Sequence, residues 1–425
     1  MGLIGLILVL LAVAFLLRVD FIFYIVYVCV GVYILSRWYT PAALRQLRVE
    51  RRFNDHAFLG ETVKVELLWH NQGRLPLPWI EFTESVAPVL RIGEPIQQAL
   101  SLGGRQRAVT SYEVQAAQRG YYRLGPLRMT VGDLFGIVPR KQGSVGASHL
   151  TVYPHIIPLS NLGLPSRLPF GTIASHQRLF EDPARPFGIR DYRSGDSPRR
   201  IHWKASAHTN SLVVKTLEPA ISLETAVFLN LHRGDFEPKQ WRYYSEWAIT
   251  VAASLAAHLI GEKQAVGLIT NGVDPLQGMA EVEATFDEDS GRLLRQDDAG
   301  ATLPPRAPDF PLRQGRAHLI KILERLARVE SDFTVPLNAW ARNASVKLAW
   351  GVTLLVVTPR GDDATCQTLH QLVRAGFNPI LIAVEPTYRF GPVRERARQL
   401  GFQAFNVTER QDLAQWREAG PKVHR

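Results

Sequence analysis

The sequence predicts a multidomain protein: an N-terminal transmembrane helical hairpin, an immunoglobulin-like β-sandwich, and a doubly wound α/β domain. Three observations predict this class. Two apolar runs open the chain, a middle region alternates apolar and polar residues with period two, and the C-terminal half alternates buried strands with amphipathic helices. A chain of 425 residues is also too long for one hydrophobic core.

The predicted hairpin occupies residues 1–39. Residues 1–17 and 21–36 contain no charged side chain, and Arg18 and Asp20 lie between them. Each run is slightly shorter than the roughly 20 residues of a full span, so interfacial anchors such as Trp38 and Tyr39 are expected to complete it. The alternatives are a cleaved signal peptide or a single span. No basic segment precedes the first run and no small-residue cleavage site precedes Arg18, which favours the hairpin.

Charge after the second run predicts the orientation. The segment after this run contains one acidic residue, Glu50, and five arginines: Arg37, Arg45, Arg48, Arg51 and Arg52. The positive-inside rule then places both chain ends in the cytoplasm, which predicts a multi-pass protein of the inner (plasma) membrane with cytoplasmic soluble domains. Attraction of these arginines to anionic membrane lipids explains part of the formal net charge of +10 without nucleic acid.

A β-sandwich domain is predicted over residues 40–157. Residues 62–69 alternate so that Val63, Val65 and Leu67 share one face. Further strands are expected around residues 79–82, 109–114, 120–124 and 127–131, with Gly and Pro between them. This spacing is typical of an immunoglobulin-like sandwich. The isolated His56 and His70 are interpreted as surface or strand residues rather than ligands.

The predicted α/β domain covers residues 220–425. Its alternating elements are strands 225–231, 265–270, 352–358, 379–384 and 402–407, and helices 241–263, 317–329, 364–375 and 392–400. Such alternation implies a parallel sheet covered on both faces, which binds ligands at the carboxyl ends of its strands. A Gly-, Pro- and acid-rich insertion near residues 271–314 is predicted to be a mobile loop.

Between these domains, residues 158–219 form a linker and a segment dense in charge and aromatic rings. Its candidate binding residues are Arg190, Asp191, Tyr192, Arg193, Gly195, Asp196, Arg199, Arg200, Trp203 and Lys204. One interpretation is a docking or anion-binding surface in which Asp191 and Asp196 orient guanidinium groups. The other is structural: Asp196 caps a helix that begins at Ser197, Ile201 and Trp203 are buried, and the arginines bridge the two domains.

This segment resembles the signature of the domain-of-unknown-function 58 family of bacterial membrane proteins. The resemblance rests on residues 192–193, 195–196, 203–204, 206–207 and 212–215, with Arg199 and Ile201, and on an approach at residues 119–121 and 133–136. It implies paired N-terminal spans, a β-sandwich and a von Willebrand factor A-like C-terminal domain. It also implies a MoxR-type AAA+ ATPase as a protein partner.

The pattern departs from that of metal-binding von Willebrand factor A domains. Those domains place D-x-S-x-S after the first strand, because oxygen ligands must converge on Mg²⁺. This chain has Asn230, His232 and Gly234 there, which leaves Asn230, His232, Asp235 and Asp362 as candidates for a degenerate site. We predict no functional metal site and no cofactor.

The function predicted is that of a membrane-anchored, non-enzymatic adaptor or assembly protein. The chain contains no G-x-x-x-x-G-K-[ST], G-x-G-x-x-G, H-E-x-x-H, C-x-x-C or G-x-S-x-G motif. Two alternatives stay open. The arginine-rich segment could bind nucleic acid or another polyanion, and His202 or His232 could belong to an unrecognised hydrolase.

Overall fold

The computed structural model describes residues 3–17, 20–132, 141–159, 181–193, 201–209, 211–219, 224–277, 285–287, 293–294, 306–387 and 390–414. The chain divides into two compact units. The first comprises Met1–His155, Pro275–Ala299 and Leu326–Arg328, and the second comprises Ile156–Asp274, Gly300–Arg325 and Val329–Arg425.

Two helices open the first unit, α1 (Leu3–Leu17) and α2 (Asp20–Arg45). Among the described residues, α2 is the one helix that is long and apolar enough to cross a membrane, judged by length and composition alone. It continues past the predicted limit at residue 39. Tyr39 is not the expected interfacial anchor, because its side chain is 5% exposed in the core of this unit and its hydroxyl donates to Pro76 O.

The rest of the first unit is built from two β-sheets. One has the order β1–β3–β6 and the other β2–β9–β7–β4–β5, with β8 paired to β7. The strands are β1 (Leu47–Arg52), β2 (His56–Phe58), β3 (Thr62–Asn71), β4 (Leu77–Val86), β5 (Ile96–Leu102), β6 (Arg107–Gln115), β7 (Gly120–Val131), β8 (Lys141–Val145) and β9 (Ser148–Tyr153). A further short pair, β14 (Thr285–Phe286) and β15 (Leu293–Leu294), belongs to the same unit.

A single apolar core joins the two sheets. Val63, Val65 and Leu67 are buried as the alternation predicts, and Trp69 of the same strand packs 4.9 Å from Phe82, measured between ring centroids. Period-two patterning places every second side chain of β3 in this core, and the burial of such residues is the main stabilising term of the unit.

One ion pair is buried within the first unit. The Arg51 guanidinium lies 2.7 Å from the Glu84 carboxylate, and their side chains are 3% and 0% exposed. Arg51 also donates to Gly146 O and Ser148 Oγ. Burial raises the pKa of Glu84, and the neighbouring guanidinium opposes that rise. Arg51 therefore does not belong to the lipid-facing arginine cluster that the sequence predicts.

The second unit begins with β10 (Glu181–Asp191), α3 (Trp203–Thr209) and β11 (Val213–Pro219). A six-stranded sheet follows with the order β16–β13–β12–β17–β18–β19. Its strands are β12 (Glu224–Leu229), β13 (Ala265–Thr270), β16 (Phe310–Arg313), β17 (Thr353–Thr358), β18 (Asn378–Ala383) and β19 (Gln403–Asn406). All neighbours are parallel except β16, which pairs antiparallel with β13.

Helices cover both faces of this sheet: α4 (Trp241–Gly261), α5 (Arg316–Arg328), α6 (Leu337–Ser345), α7 (Asp363–Arg374) and α8 (Phe390–Gln399), with α9 (Arg410–Ala414) near the end. On one face, Phe228 packs with Trp340 of α6 and Leu369 of α7. The alternate residues Val227 and Leu229 are also fully buried. Strands buried on both faces require continuous apolar runs, and this is why their sequence lacks alternation.

The described part of the predicted loop near residues 271–314 contains strands: the short pair β14 and β15, and β16. Residues Phe310–Arg313 form β16 and pair with Val266 and Leu268 of β13. Helix α6, whose Trp340 and Ala341 are buried against the sheet, is also not predicted by the sequence pattern. Both β16 and α6 are short, and their periodicity is hidden by flanking Pro and Gly residues.

The buried Arg51–Glu84 ion pair can be tested by the replacement Glu84→Gln. This replacement should lower the free energy of unfolding of the first unit by about 3 kcal/mol, because Arg51 would remain buried without its carboxylate. Hydrogen exchange of β1 and β4, followed by mass spectrometry on the detergent-solubilised full chain, measures this change.

The matched control is Glu50→Gln. Glu50 pairs with Arg52 in the same strand, but both side chains are 64% exposed, so their loss should leave exchange nearly unchanged. Equal effects of the two replacements would show that burial does not set the strength of the Arg51–Glu84 pair.

Candidate functional site

The signature segment is organised around two paired strands of the second unit. Arg190 of β10 lies opposite Val214 of β11, and Asp191 lies opposite Val213. Val214 also forms a bridge with Ile201, so the backbone of β11 is held from both sides. The pairing continues past Asp191, because Tyr192 N donates to Leu212 O over 2.8 Å. Val213 and Val214 are buried, and they anchor the segment.

Two side chains attach α3 to this pair. His202 Nδ1 accepts a hydrogen bond from Ala205 N at 3.1 Å, which is the bond of a helix cap, and His202 N donates to Val213 O. Ser206 Oγ accepts from Val213 N at 3.0 Å. These bonds give His202 and Ser206 a structural role in the start and the docking of α3.

The charged and aromatic side chains of the segment point to solvent. Arg190, Asp191, Arg193 and Lys204 are exposed and Tyr192 is half-buried. Trp203 is 68% exposed, so the interpretation that buries this ring is wrong. The ring stands on the first residue of a short helix, whose inward face is taken by Ser206.

Three exposed residues extend this surface beyond the predicted set. Ile189 and Leu212 are 51% and 48% exposed, and Lys215 is exposed opposite Ile189 in the strand pair. We call the set Ile189, Arg190, Arg193, Trp203, Lys204, Leu212 and Lys215 the signature surface. The predicted Gly195, Asp196, Arg199 and Arg200, and the expected helix start at Ser197, lie outside the described residues.

A second group of polar residues lies at the carboxyl ends of the parallel strands. Asn230 follows β12 and is fully buried. Its Nδ2 donates to Asp235 Oδ2 at 2.8 Å and to Thr358 Oγ1 at 3.1 Å. Its Oδ1 accepts from His232 N and from Asn271 Nδ2. Both donors and both lone pairs of the amide are therefore used.

The remaining candidates for a degenerate metal site serve the same scaffold. Asp362 Oδ1 accepts from Thr365 N at 2.8 Å and caps α7. His232 Nδ1 accepts from Thr334 N at 3.1 Å. A Cβ at Gly234 would lie 2.6 Å from His232 Nε2, so the imidazole occupies the space that a serine at 234 would need.

These donors do not fit a Mg²⁺ ion. Magnesium requires oxygen ligands in near-octahedral geometry, whereas the amide nitrogen of Asn230 faces the oxygens of Asp235 and Thr358 and already donates to both. Within the residues that the structure describes, no group of three or more His, Cys, Asp or Glu side chains could hold a metal ion.

One guanidinium and two carboxylates form a cluster at the same edge of the sheet. Arg360 Nε donates to Glu385 Oε2 at 2.6 Å, and its Nη2 donates to Glu237 Oε2 at 2.8 Å. Burial acts to lower the pKa of Arg360, but the hydrogen bonds and charges of Glu385 and Glu237 outweigh it and raise that pKa. Glu385 could not be found from the sequence, because a polar residue after a strand carries no motif of its own.

These observations define a multidomain protein with an N-terminal apolar helix, several β-sheets and an exposed signature surface. The family described as "Protein of unknown function DUF58" matches residues 188–280, which include the described part of that surface. An uncharacterized protein, YeaD of Bacillus subtilis (strain 168), is 21% identical over 238 residues, which is 56% of this chain and 50% of the relative. The chain thus spans about half the length of that relative. Both matches support the resemblance to the DUF58 family.

Solved structures give weaker likenesses. The CARDB domain of the PF1109 protein from Pyrococcus furiosus is 20% identical, covers 25% of this chain and 91% of its own, and has a TM-score of 0.20. A beta-glucosidase from Listeria innocua is 13% identical, covers 25% of this chain and 16% of its own, and has a TM-score of 0.16. At these TM-scores neither likeness bears on function.

Prediction for the strand-end network. Mg²⁺ or Mn²⁺ should not change the melting temperature of the full chain, because the Asn230 amide already satisfies the oxygens of Asp235 and Thr358. Thermal unfolding with and without each metal tests this. A saturable shift that EDTA reverses would contradict it.

Proposed function

We propose that this protein is a membrane-anchored, non-enzymatic adaptor or assembly protein whose signature surface docks a protein partner. The observation that carries the proposal is the exposure of Ile189, Trp203 and Leu212, which are 51%, 68% and 48% exposed among cationic side chains. Exposed aromatic and aliphatic groups beside arginines are typical of the anchors of protein interfaces.

We propose that α1 and α2 form a hairpin that anchors the protein in the inner (plasma) membrane. Both folded units would then lie in the cytoplasm. The support for the hairpin is the length and apolar composition of α2 and the shorter apolar stretch Ile7–Leu16 in α1. Exposed Arg37, Arg45 and Arg48 after the apolar run favour the cytoplasmic side under the positive-inside rule.

For the folded units we propose an immunoglobulin-like sandwich and a von Willebrand factor A-like domain. The support for the second is the parallel sheet with its antiparallel edge strand β16 and helices on both faces. The absence of nucleotide-binding and hydrolase motifs from the sequence favours a partner that supplies any chemistry. The DUF58 resemblance names a MoxR-type AAA+ ATPase for that partner.

The two alternative functions would depend on other residues. A polyanion or nucleic-acid binder would use Arg190, Arg193, Lys204 and Lys215 and would lose affinity steeply as salt rises. A hydrolase would need His202 or His232 as a base, and in each of them Nδ1 accepts a backbone N–H.

Prediction for the signature surface. The double variant Trp203→Ala with Lys204→Ala should reduce capture of the MoxR-type ATPase by about tenfold or more, because an exposed aromatic anchor and a cation are removed together. Co-purification from cells of the source organism, quantified by mass spectrometry, measures this.

Val346→Ala with Lys347→Ala is the matched control. Val346 is 78% exposed and Lys347 is exposed in the same unit, so this variant removes an apolar and a basic side chain outside the signature surface. Equal capture by both variants, or no capture by the unaltered chain, would refute the partner proposal. Salt-sensitive binding of a nucleic acid by the unaltered chain would favour the polyanion alternative instead.

A further inference from the structure

A guanidinium close to two aromatic rings lies at the carboxyl ends of the parallel strands. The Arg233 guanidinium carbon is 4.3 Å from the centroid of the Trp241 ring and 5.1 Å from that of Phe333. Both distances are within the range of cation–π attraction. Arg233 follows β12 in a short 3₁₀ turn, Trp241 begins α4, and Phe333 lies in the loop between α5 and α6.

The loops that carry this cluster are fixed by hydrogen bonds. Arg233 N donates to Asp332 O at 2.9 Å, and His232 and Asp332 form a parallel bridge. Ser331 Oγ donates to Leu231 O at 2.8 Å. The backbone that carries Arg233 is therefore fixed before any ligand arrives, which reduces the entropy lost on binding.

Arg233 differs from its neighbour Arg360 in what surrounds it. Arg360 is satisfied by two carboxylates. Beside Arg233, Asp235 accepts from Asn230, and Asp332 Oδ1 accepts from Phe333 N at 2.7 Å. Arg233 is half-buried, so part of this residue stays accessible to a ligand.

We infer that Arg233, Trp241 and Phe333 form a binding site for a carboxylate of a protein partner, an Asp or Glu side chain next to an apolar residue. A planar guanidinium matches a carboxylate through two parallel hydrogen bonds. Phe333 is 56% exposed and gives the site an apolar rim for the neighbouring side chain. Ligands of open α/β sheets bind at this edge. The site is separate from the signature surface and goes beyond the adaptor role proposed above.

A peptide selection tests this site directly. Detergent-solubilised full chain is used to select binders from a displayed random peptide library, with Arg233→Gln as the counter-selection. Enriched peptides should share an acidic residue beside an apolar one. In the synthetic form of such a peptide, replacement of that Glu by Gln should weaken binding by about tenfold or more, since hydrogen bonds to charged groups are lost.

Control variants separate the site from general charge and from folding. Arg374→Gln removes an exposed arginine of α7 and should leave peptide affinity unchanged. Trp203→Ala with Lys204→Ala should also leave it unchanged, so failure of this site and failure of the signature surface are distinguishable. The Glu→Gln change lies in the peptide, so it reports on recognition even if Arg233→Gln disturbs folding.

The inference is overturned if no peptides are enriched, or if the enriched peptides share no acidic residue. It is also overturned if Arg233→Gln, or the Glu→Gln change in the peptide, leaves the affinity unchanged. Displacement of the peptide by inorganic phosphate but not by acetate at equal concentration would also overturn it, in favour of a phosphoryl ligand.

Discussion

The second unit depends on one buried amide. Asn230 is fully buried, and its four hydrogen bonds join the turn after β12 to Asn271 after β13 and to Thr358, the last residue of β17. A buried polar group without partners costs free energy, so loss of any of these partners would destabilise the others. Asn271 extends the network, since it accepts from Leu231 N and donates to Val335 O.

This constraint explains how the edge of the sheet can present charged groups in defined positions. The strands beneath it are buried on both faces and offer only apolar side chains. Polar and charged groups of this sheet therefore lie at the strand ends, where Arg360 meets two carboxylates and Arg233 lies close to two rings. The Asn230 amide donates to Asp235 Oδ2 and Thr358 Oγ1, the oxygens that a metal ion at this edge would have to bind.

In the signature segment, the backbone and the smaller side chains stabilise the structure. Val213 and Val214 are buried, Ser206 Oγ accepts a hydrogen bond from Val213 N, and His202 caps α3. The large side chains of the segment are left outside. The residues that hold the segment in place and the residues that it exposes are therefore different ones.

Periodicity predicts most of the secondary structure here. The strand at Ala265–Thr270 and the helices that begin near Trp241 and Arg316 lie close to their predicted limits, because long apolar stripes are local properties of the chain. Elements as short as β16 and α6 hold too few residues for a period to emerge. Their structure comes from pairing with β13 and from burial of Trp340.

The sequence by itself determined the resemblance to the DUF58 family, the order of apolar helices, β-sheets and α/β elements, and the residues of the signature. The tertiary structure decided which charged and aromatic groups are buried: Arg51 and Tyr39 inside, Trp203 outside. It alone brought Asn230 to Thr358 and Arg233 to Phe333. These contacts join residues far apart in the chain, and a local pattern carries no information about which distant partner a side chain will meet.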